Sequence, residues 1–217
     1  MMRRLGLPMA LMLASALAAC GTNSDAWRLT QLAYHQITGS FEDNSITQAR
    51  VLAVPYATIG ARLGGGVEAL MVLTNVSGHD LQWLGGGNIS LATRDGRIIR
   101  TVGLEHNLDG FQGPVDDKPG ADGLRAYHYI YDLIDKNAYG VFVRCTQSDR
   151  GGETSTIVGI RHDTRHIVEQ CEAPQLDWTF QNQFWADAKT GYVWRTTQYV
   201  HPDLDPITTQ ILRPEKS

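Results

Sequence analysis

Residues 178–198 read WTFQNQFWADAKTGYVWRTTQ, and the fold class turns on how this stretch is parsed. Trp178, Phe180, Asn182 and Phe184 alternate with Thr179, Gln181 and Gln183, the period of a strand with one buried face. Asp187-Ala188-Lys189-Thr190-Gly191 then has the form of a type I turn closed by a glycine in the left-handed region. Taking Ala188 to Gly191 as the loop pairs Asp187 with Tyr192 and, by the same register, Trp185 with Trp194. Paired residues share a face. One face then holds Trp178, Phe180, Asn182, Phe184, Val193, Arg195 and Tyr199 and reads as core. The other holds Gln181, Gln183, Trp185, Tyr192, Trp194, Thr196 and Gln198, a tryptophan pair among amides and hydroxyls. Such a face suits sugar rings, whose C–H patches stack on indoles while their hydroxyls hydrogen-bond, and it is the candidate glycan or partner surface. The competing reading is that another segment covers it, with the indole N–H groups finding partners inside. One extra loop residue would move one strand's side chains to the opposite faces.

Working outward, the same grammar fills most of the chain. Short runs rich in β-branched and aromatic residues recur at 49–59, 67–75, 81–84, 88–93, 97–103, 124–133, 139–146, 154–161, 166–172, 192–201 and 207–212. Asp95-Gly96, Arg150-Gly151-Gly152 and Lys189-Thr190-Gly191 read as turns. Residues 107–123, loaded with Gly, Asp and Pro, read as a long surface loop. Ser24-Asp25 caps an expected short helix over 26–36. No interleaved helices of crossover length are visible, so the sheet is expected to be antiparallel. The expectation is one mainly β domain over 26–217: a strongly bent sheet, sandwich or half-barrel with one or two short helices.

Cys145 and Cys171 lie on strands separated in this reading by the strand 154–161. A simple meander puts their backbones about 10 Å apart, twice the strand spacing, which disulfide geometry rejects. A bridge therefore requires a different strand order or a strongly coiled sheet end; two buried thiols are the alternative.

The N-terminus indicates the compartment. Met1-Met2-Arg3-Arg4 is a basic head and Leu5 to Leu17 an apolar run, shorter than the about 20 residues a membrane span wants. Leu17-Ala18-Ala19-Cys20 follows, with the form of a bacterial lipobox. Residues 1–19 are thus an expected signal peptide, Cys20 the expected lipidation site, and 20–25 a polar leash. Two or three acyl chains, at about 0.8 kcal/mol per buried methylene, anchor far more firmly than one. Removing 19 of the 217 residues leaves 198, with 17 basic against 23 acidic groups, a formal charge of −6. That balance argues against a nucleic-acid partner.

Chemical motifs are sparse. Gly64-Gly65-Gly66 and Gly85-Gly86-Gly87 lack the lysine and hydroxyl of a phosphate loop, and no G-x-S-x-G elbow occurs. His162-Asp163-Thr164-Arg165-His166 reads as a turn, without a third zinc ligand. Asp116-Asp117 and Glu169/Glu172 are the carboxylate clusters a glycoside hydrolase would need, but a solvated loop and a strand edge explain them. No catalytic residue, metal or cofactor is assigned.

The lipobox, GRIIRTVGL (Gly96–Leu104), YGVFVRC (Tyr139–Cys145), DWTFQNQFWADAKTGYVWRTTQYVHPDL (Asp177–Leu204) and the terminal ILRP (Ile211–Pro214) together resemble the YjbF family of group 4 capsule polysaccharide lipoproteins, the GfcB type. The resemblance implies a β-rich lipoprotein acylated at Cys20 and working beside capsule or exopolysaccharide assembly proteins. Gly21 after the cysteine, in place of aspartate, implies the outer membrane, facing the periplasm. The expected role is a non-enzymatic accessory holding glycan or an export partner; a polysaccharide-modifying enzyme and a purely structural envelope lipoprotein are the alternatives.

Overall fold

The structure, a computed structural model, describes residues 46–116 and 124–215. The leader, Cys20, the leash and the helix expected over 26–36 lie outside the described residues. Among the described residues one α-helix, α1 (Gln48–Ala53), is capped by the Thr47 hydroxyl, which accepts from the Arg50 N–H at 3.3 Å. It replaces the first half of the strand expected over 49–59.

Twelve strands follow: β1 (Thr58–Leu63), β2 (Ala69–Ser77), β3 (Asp80–Leu84), β4 (Ser90–Arg94), β5 (Arg97–Val102), β6 (Gly110–Asp116), β7 (Arg125–Leu133), β8 (Ala138–Ile157), β9 (Ile160–Ala173), β10 (Trp178–Asp187), β11 (Val193–Gln198) and β12 (Ile207–Arg213). They form one antiparallel sheet in the order β5-β4-β3-β2-β1-β12-β11-β10-β9-β8-β7-β6. Every ladder joins chain neighbours except β1–β12, which brings the two ends of the described chain together. The sheet curls until its edges, β5 and β6, approach, and the Thr101 N–H donates to the Leu108 carbonyl at 3.0 Å. The result is a nearly closed barrel, in agreement with the expected mainly β, strongly bent architecture.

Three local departures matter. The segment read as a surface loop contains β6, whose Gly113-Pro114 sits at a register shift. Proline is tolerated there because β6 is an edge strand and owes the ladder no N–H on its open side. Arg150-Gly151-Gly152 is not a turn but a bulge within β8, with Gly151 at φ +99° and its N–H donating to the Asp149 carboxylate. The true turn is Val158-Gly159, both at positive φ, a two-residue hairpin hidden by a β-branched residue that seldom adopts that conformation. Three expected strands thus collapse into one long hairpin, β8–β9. Cys145 and Cys171 fall directly opposite each other in it and form a disulfide, Cα–Cα 4.1 Å. The meander expectation of an intervening strand is corrected.

Alternation packs the interior. Tyr127, Tyr129, Tyr131 and Leu133 of β7, Val141, Val143 and Cys145 of β8, and Trp178 and Phe180 of β10 are buried in a core shared with Ile59, Met71, Trp83, Leu91 and Ile98. Leu108, Val200 and Leu204 close it. The Asp95-Gly96 turn, both residues at positive φ, folds across onto β11. A Cβ on Gly96 would lie 2.6 Å from that of Val193, so only glycine permits this approach. The Gln198 side chain fastens it, donating to the Gly96 carbonyl at 2.9 Å and accepting from the Ile98 N–H at 3.1 Å.

Candidate functional site

The turn of the opening hairpin forms as its sequence dictates. Gly191 adopts φ +75° and the Asp187 carboxylate accepts from the Lys189 N–H and from the N–H and hydroxyl of Thr190. Those donors, with Trp194 beyond them, hold the Asp187 pKa at about 2. The register then slips: Ala186 pairs Val193, whereas Trp185 pairs Arg195. Trp194 is the residue left over by this bulge, and the expected Trp185–Trp194 pairing is corrected. The face assigned by alternation is divided accordingly. Gln198, only 2 % exposed, belongs to the interior. Gln181 is exposed and bonded to Gln170.

Trp185 itself is covered. It is 8 % exposed; His166 stacks on it at 4.7 Å and the Arg195 guanidinium lies 5.0 Å from its ring centroid. Its N–H donates to Glu153 at 3.0 Å, and Gln183 bonds the His166 ring at 3.0 Å. Trp194 is half-buried against His162 at 3.9 Å and Tyr192 at 4.8 Å. The two histidines read as a turn therefore stand on β9, four residues apart on one face, as partners of the two indoles. The surface is a filled aromatic–imidazole cluster and leaves no open indole platform at Trp185.

Inside the barrel mouth lies a second arrangement, which no sequence motif announced. A cavity of about 280 Å³ is walled by Arg97 and Ile99 of β5, Phe111 of β6, Tyr127 and Tyr129 of β7, Glu169 of β9 and Phe184 of β10. Arg97 donates to Glu169 at 2.5 Å, and the two side chains are 12 % and 3 % exposed. The Tyr127 hydroxyl donates to the same carboxylate oxygen. The guanidinium lies 4.4 Å from the Tyr129 ring centroid and 4.8 Å from that of Phe184, in the range of cation–π attraction. Glu169 Oε2 and Arg97 Nη1 are sealed from solvent, and the Tyr131 phenol also bears on Arg97.

Burial opposes the charge on Arg97, but the Glu169 carboxylate overrides it and the pKa rises. Burial, then the Glu169 charge, raises Tyr127. Burial likewise raises Tyr129, against the field of Arg97, and pushes Tyr131 up to about 12. At neutral pH the site thus presents an ion pair and tyrosine O–H donors. The alternating Tyr127, Tyr129, Tyr131 was the legible signal, since three polar-tipped rings on one face are an unusual core. Glu169 was read as a strand edge, yet it shares parity with Cys171 and faces inward; Glu172, three residues on, is exposed. Asp116 is an exposed partner of Arg125, and Asp117 lies outside the described residues.

A third cluster joins His106, Asp135 and His201. His106 Nδ1 lies 2.6 Å and His201 Nε2 3.1 Å from the Asp135 carboxylate, and the imidazoles stack at 4.8 Å. The Asp203 N–H donates to His201 Nδ1 at 3.1 Å, so neutral His201 carries its proton on Nε2, toward Asp135. That tautomer offers no lone pair to a cation. Burial lowers the His201 pKa, with Asp135 opposing, and burial likewise lowers His162 against Asp187. Below about pH 6.5 the unfolded chain gains protons that these folded imidazoles resist, so stability falls as pH drops through that value and returns above it. Urea midpoints are expected to be lower at pH 5.5 than at 7.5, and His201→Asn should flatten the difference. An unchanged slope in that variant would remove His201 as its source.

The comparisons with known proteins agree with this architecture. Residues 29–212 match the profile of the family described as group 4 capsule polysaccharide lipoprotein gfcB, YjbF. The chain is 28 % identical over 178 residues to the uncharacterized lipoprotein GfcB of Escherichia coli K12, covering 80 % of this chain and 83 % of that one. It is 23 % identical over 180 residues to the uncharacterized lipoprotein YjbF of the same strain, covering 79 % and 82 %. The crystal structure of the hypothetical lipoprotein YmcC from E. coli K12 superposes with a TM-score of 0.64 at 21 % identity, covering 91 % of this chain and 98 % of that one, so the fold is shared. From its matched span and its barrel, the chain belongs to the YjbF family of group 4 capsule polysaccharide lipoproteins.

Proposed function

We propose that this protein is a non-catalytic accessory of capsule or exopolysaccharide assembly, acylated at Cys20, held at the outer membrane facing the periplasm, and binding a saccharide segment in the cavity at the barrel mouth. The carrying observation is the Arg97–Glu169 pair, set among aromatic rings on the wall of a 280 Å³ space that also exposes tyrosine and phenylalanine rings. Ligand pockets combine apolar and aromatic walls with a few placed polar groups, and this lining has that composition. Family membership supplies the polysaccharide context. Among the described residues, the five carboxyl groups whose pKa the fold moves, Asp80, Asp135, Asp149, Asp187 and Asp203, are all moved down, chiefly by hydrogen bonds from Arg94, His106, the Gly151 N–H, the Thr190 N–H and Lys136. A glycosidase acid needs the opposite shift, which favours holding over hydrolysis.

The test is affinity electrophoresis through gels containing exopolysaccharide from the producing cells. Retardation is expected for the native protein, reduced at least several-fold in Phe111→Ala and retained in Trp194→Ala. No retardation of the native protein, or loss confined to the Trp194 variant, would overturn the cavity reading. Mass spectrometry of the native protein should show a start at Cys20 carrying acyl chains.

A further inference from the structure

We propose that the cavity takes the terminal one or two units of a glycan chain and excludes interior segments; the inference rests on the saccharide reading above and names the part of the polymer that is held. On each strand the lining stops at a definite depth: at Tyr129 on β7, Gln147 on β8, Glu169 on β9 and Phe184 on β10. The next inward-facing residues along those strands, Tyr131, Cys145, Cys171 and Asn182, are only 1–2 % exposed. At this level the Arg97–Glu169 pair spans the barrel from β5 to β9, with Glu169 Oε2 and Arg97 Nη1 sealed from solvent and the Tyr131 phenol bearing on Arg97. The pair thus closes the cavity from beneath.

The flanks are closed as well. Where the sheet edges meet, Phe111 of β6 packs on Tyr129 and Tyr131 at 5.3 and 5.7 Å, and the Thr101–Leu108 hydrogen bond joins the edges below it. On the other flank Gln198 ties Gly96 and Ile98 to β11. The exposed lining residues, Asp95, Pro114, Arg125 and Gly191, all stand at one end of the barrel, so among the described residues the cavity has a single mouth. An interior segment of a polymer needs two openings, or room to turn back on itself. The 280 Å³ space lies just below the roughly 300–1,000 Å³ of ligand pockets and gives no such room. A chain end needs one opening and one or two units of depth. Occupancy therefore counts chains, not polymer mass.

Calorimetry on the acylation-free mature chain tests this, with exopolysaccharide from the producing cells separated into two size fractions about tenfold apart in length and the number of chains fixed by end-group assay. One protein is expected to bind per chain in both fractions, with the same affinity per mole of chains. Ile99→Trp, which fills the cavity, should abolish binding to both fractions with the native circular dichroism retained. Since that variant risks misfolding, Phe111→Ala, which cuts back the same wall, provides the second arm and should weaken both fractions by an equal, several-fold factor. Unchanged binding in a folded Ile99→Trp, or a loss in Phe111→Ala confined to the long fraction, overturns the proposal. Should the protein bound per chain rise about tenfold with length, interior segments are recognised: the chain-end assignment falls and the saccharide role stands. If neither fraction binds, both fall.

Discussion

Truncating Glu169 to alanine is expected to destabilise the protein by about 3–5 kcal/mol, the range for removing one partner of a buried ion pair. The physical reason is the charge left behind. Arg97 sits against Tyr129 and Phe184 with its counter-ion 2.5 Å away, and without Glu169 its guanidinium stays buried and unpaired. Tyr127 loses its acceptor in the same step. Arg97→Ala should cost a comparable amount by orphaning the carboxylate. The double variant Arg97→Met/Glu169→Leu should cost much less than the sum of the two, because it removes both charges and keeps the volume. Urea denaturation of the four proteins closes the cycle, with the exposed Glu172→Ala as a reference within about 0.5 kcal/mol of the parent. Additive single effects would show that the pair does not act as a unit.

The second large effect concerns the disulfide. Cys145 and Cys171 are 26 residues apart and close the β8–β9 hairpin. Loop-closure entropy for that length amounts to about 3.5 kcal/mol at 25 °C. Replacing both cysteines with alanine should therefore lower Tm by roughly 7–14 °C for a chain of this size. Both cysteines are 1 % exposed in the core, so reductant should act only where denaturant has begun to open the barrel. A Tm within about 2 °C of the parent in the double-alanine variant would mean that the unfolded hairpin is already constrained by other means.

Much of the fold was legible locally. Strand alternation in β7 and β10, the Asp95-Gly96 turn and the Asp187–Gly191 turn are set by side-chain period and by glycine's access to positive φ, both properties of adjacent residues. The errors have a common origin. Gly113-Pro114 and Arg150-Gly151-Gly152 carry the composition of turns but occupy an edge strand and a bulge, because neighbouring strands supply hydrogen bonds that composition does not reveal. Val158 accepts an unfavourable φ because the long β8–β9 ladder on either side of it outweighs the strain. The bulge at Trp194 removed the expected Trp185–Trp194 pairing, while β9 set His166 opposite Trp185 and covered it, as the competing reading had it.

By itself, then, the sequence determined an antiparallel, mainly β chain, since that depends on short-range periodicity and on residues read in order. Which residues meet inside was decided only by tertiary structure. Arg97 and Glu169 are 72 positions apart, and no local pattern encodes their contact. It arises because β5 and β9, distant in the order of the sheet, are brought face to face when the sheet curls almost shut. The same curling puts Gln198 against Gly96 and moves the chemically distinctive surface from the outside of a hairpin to the inside of a barrel.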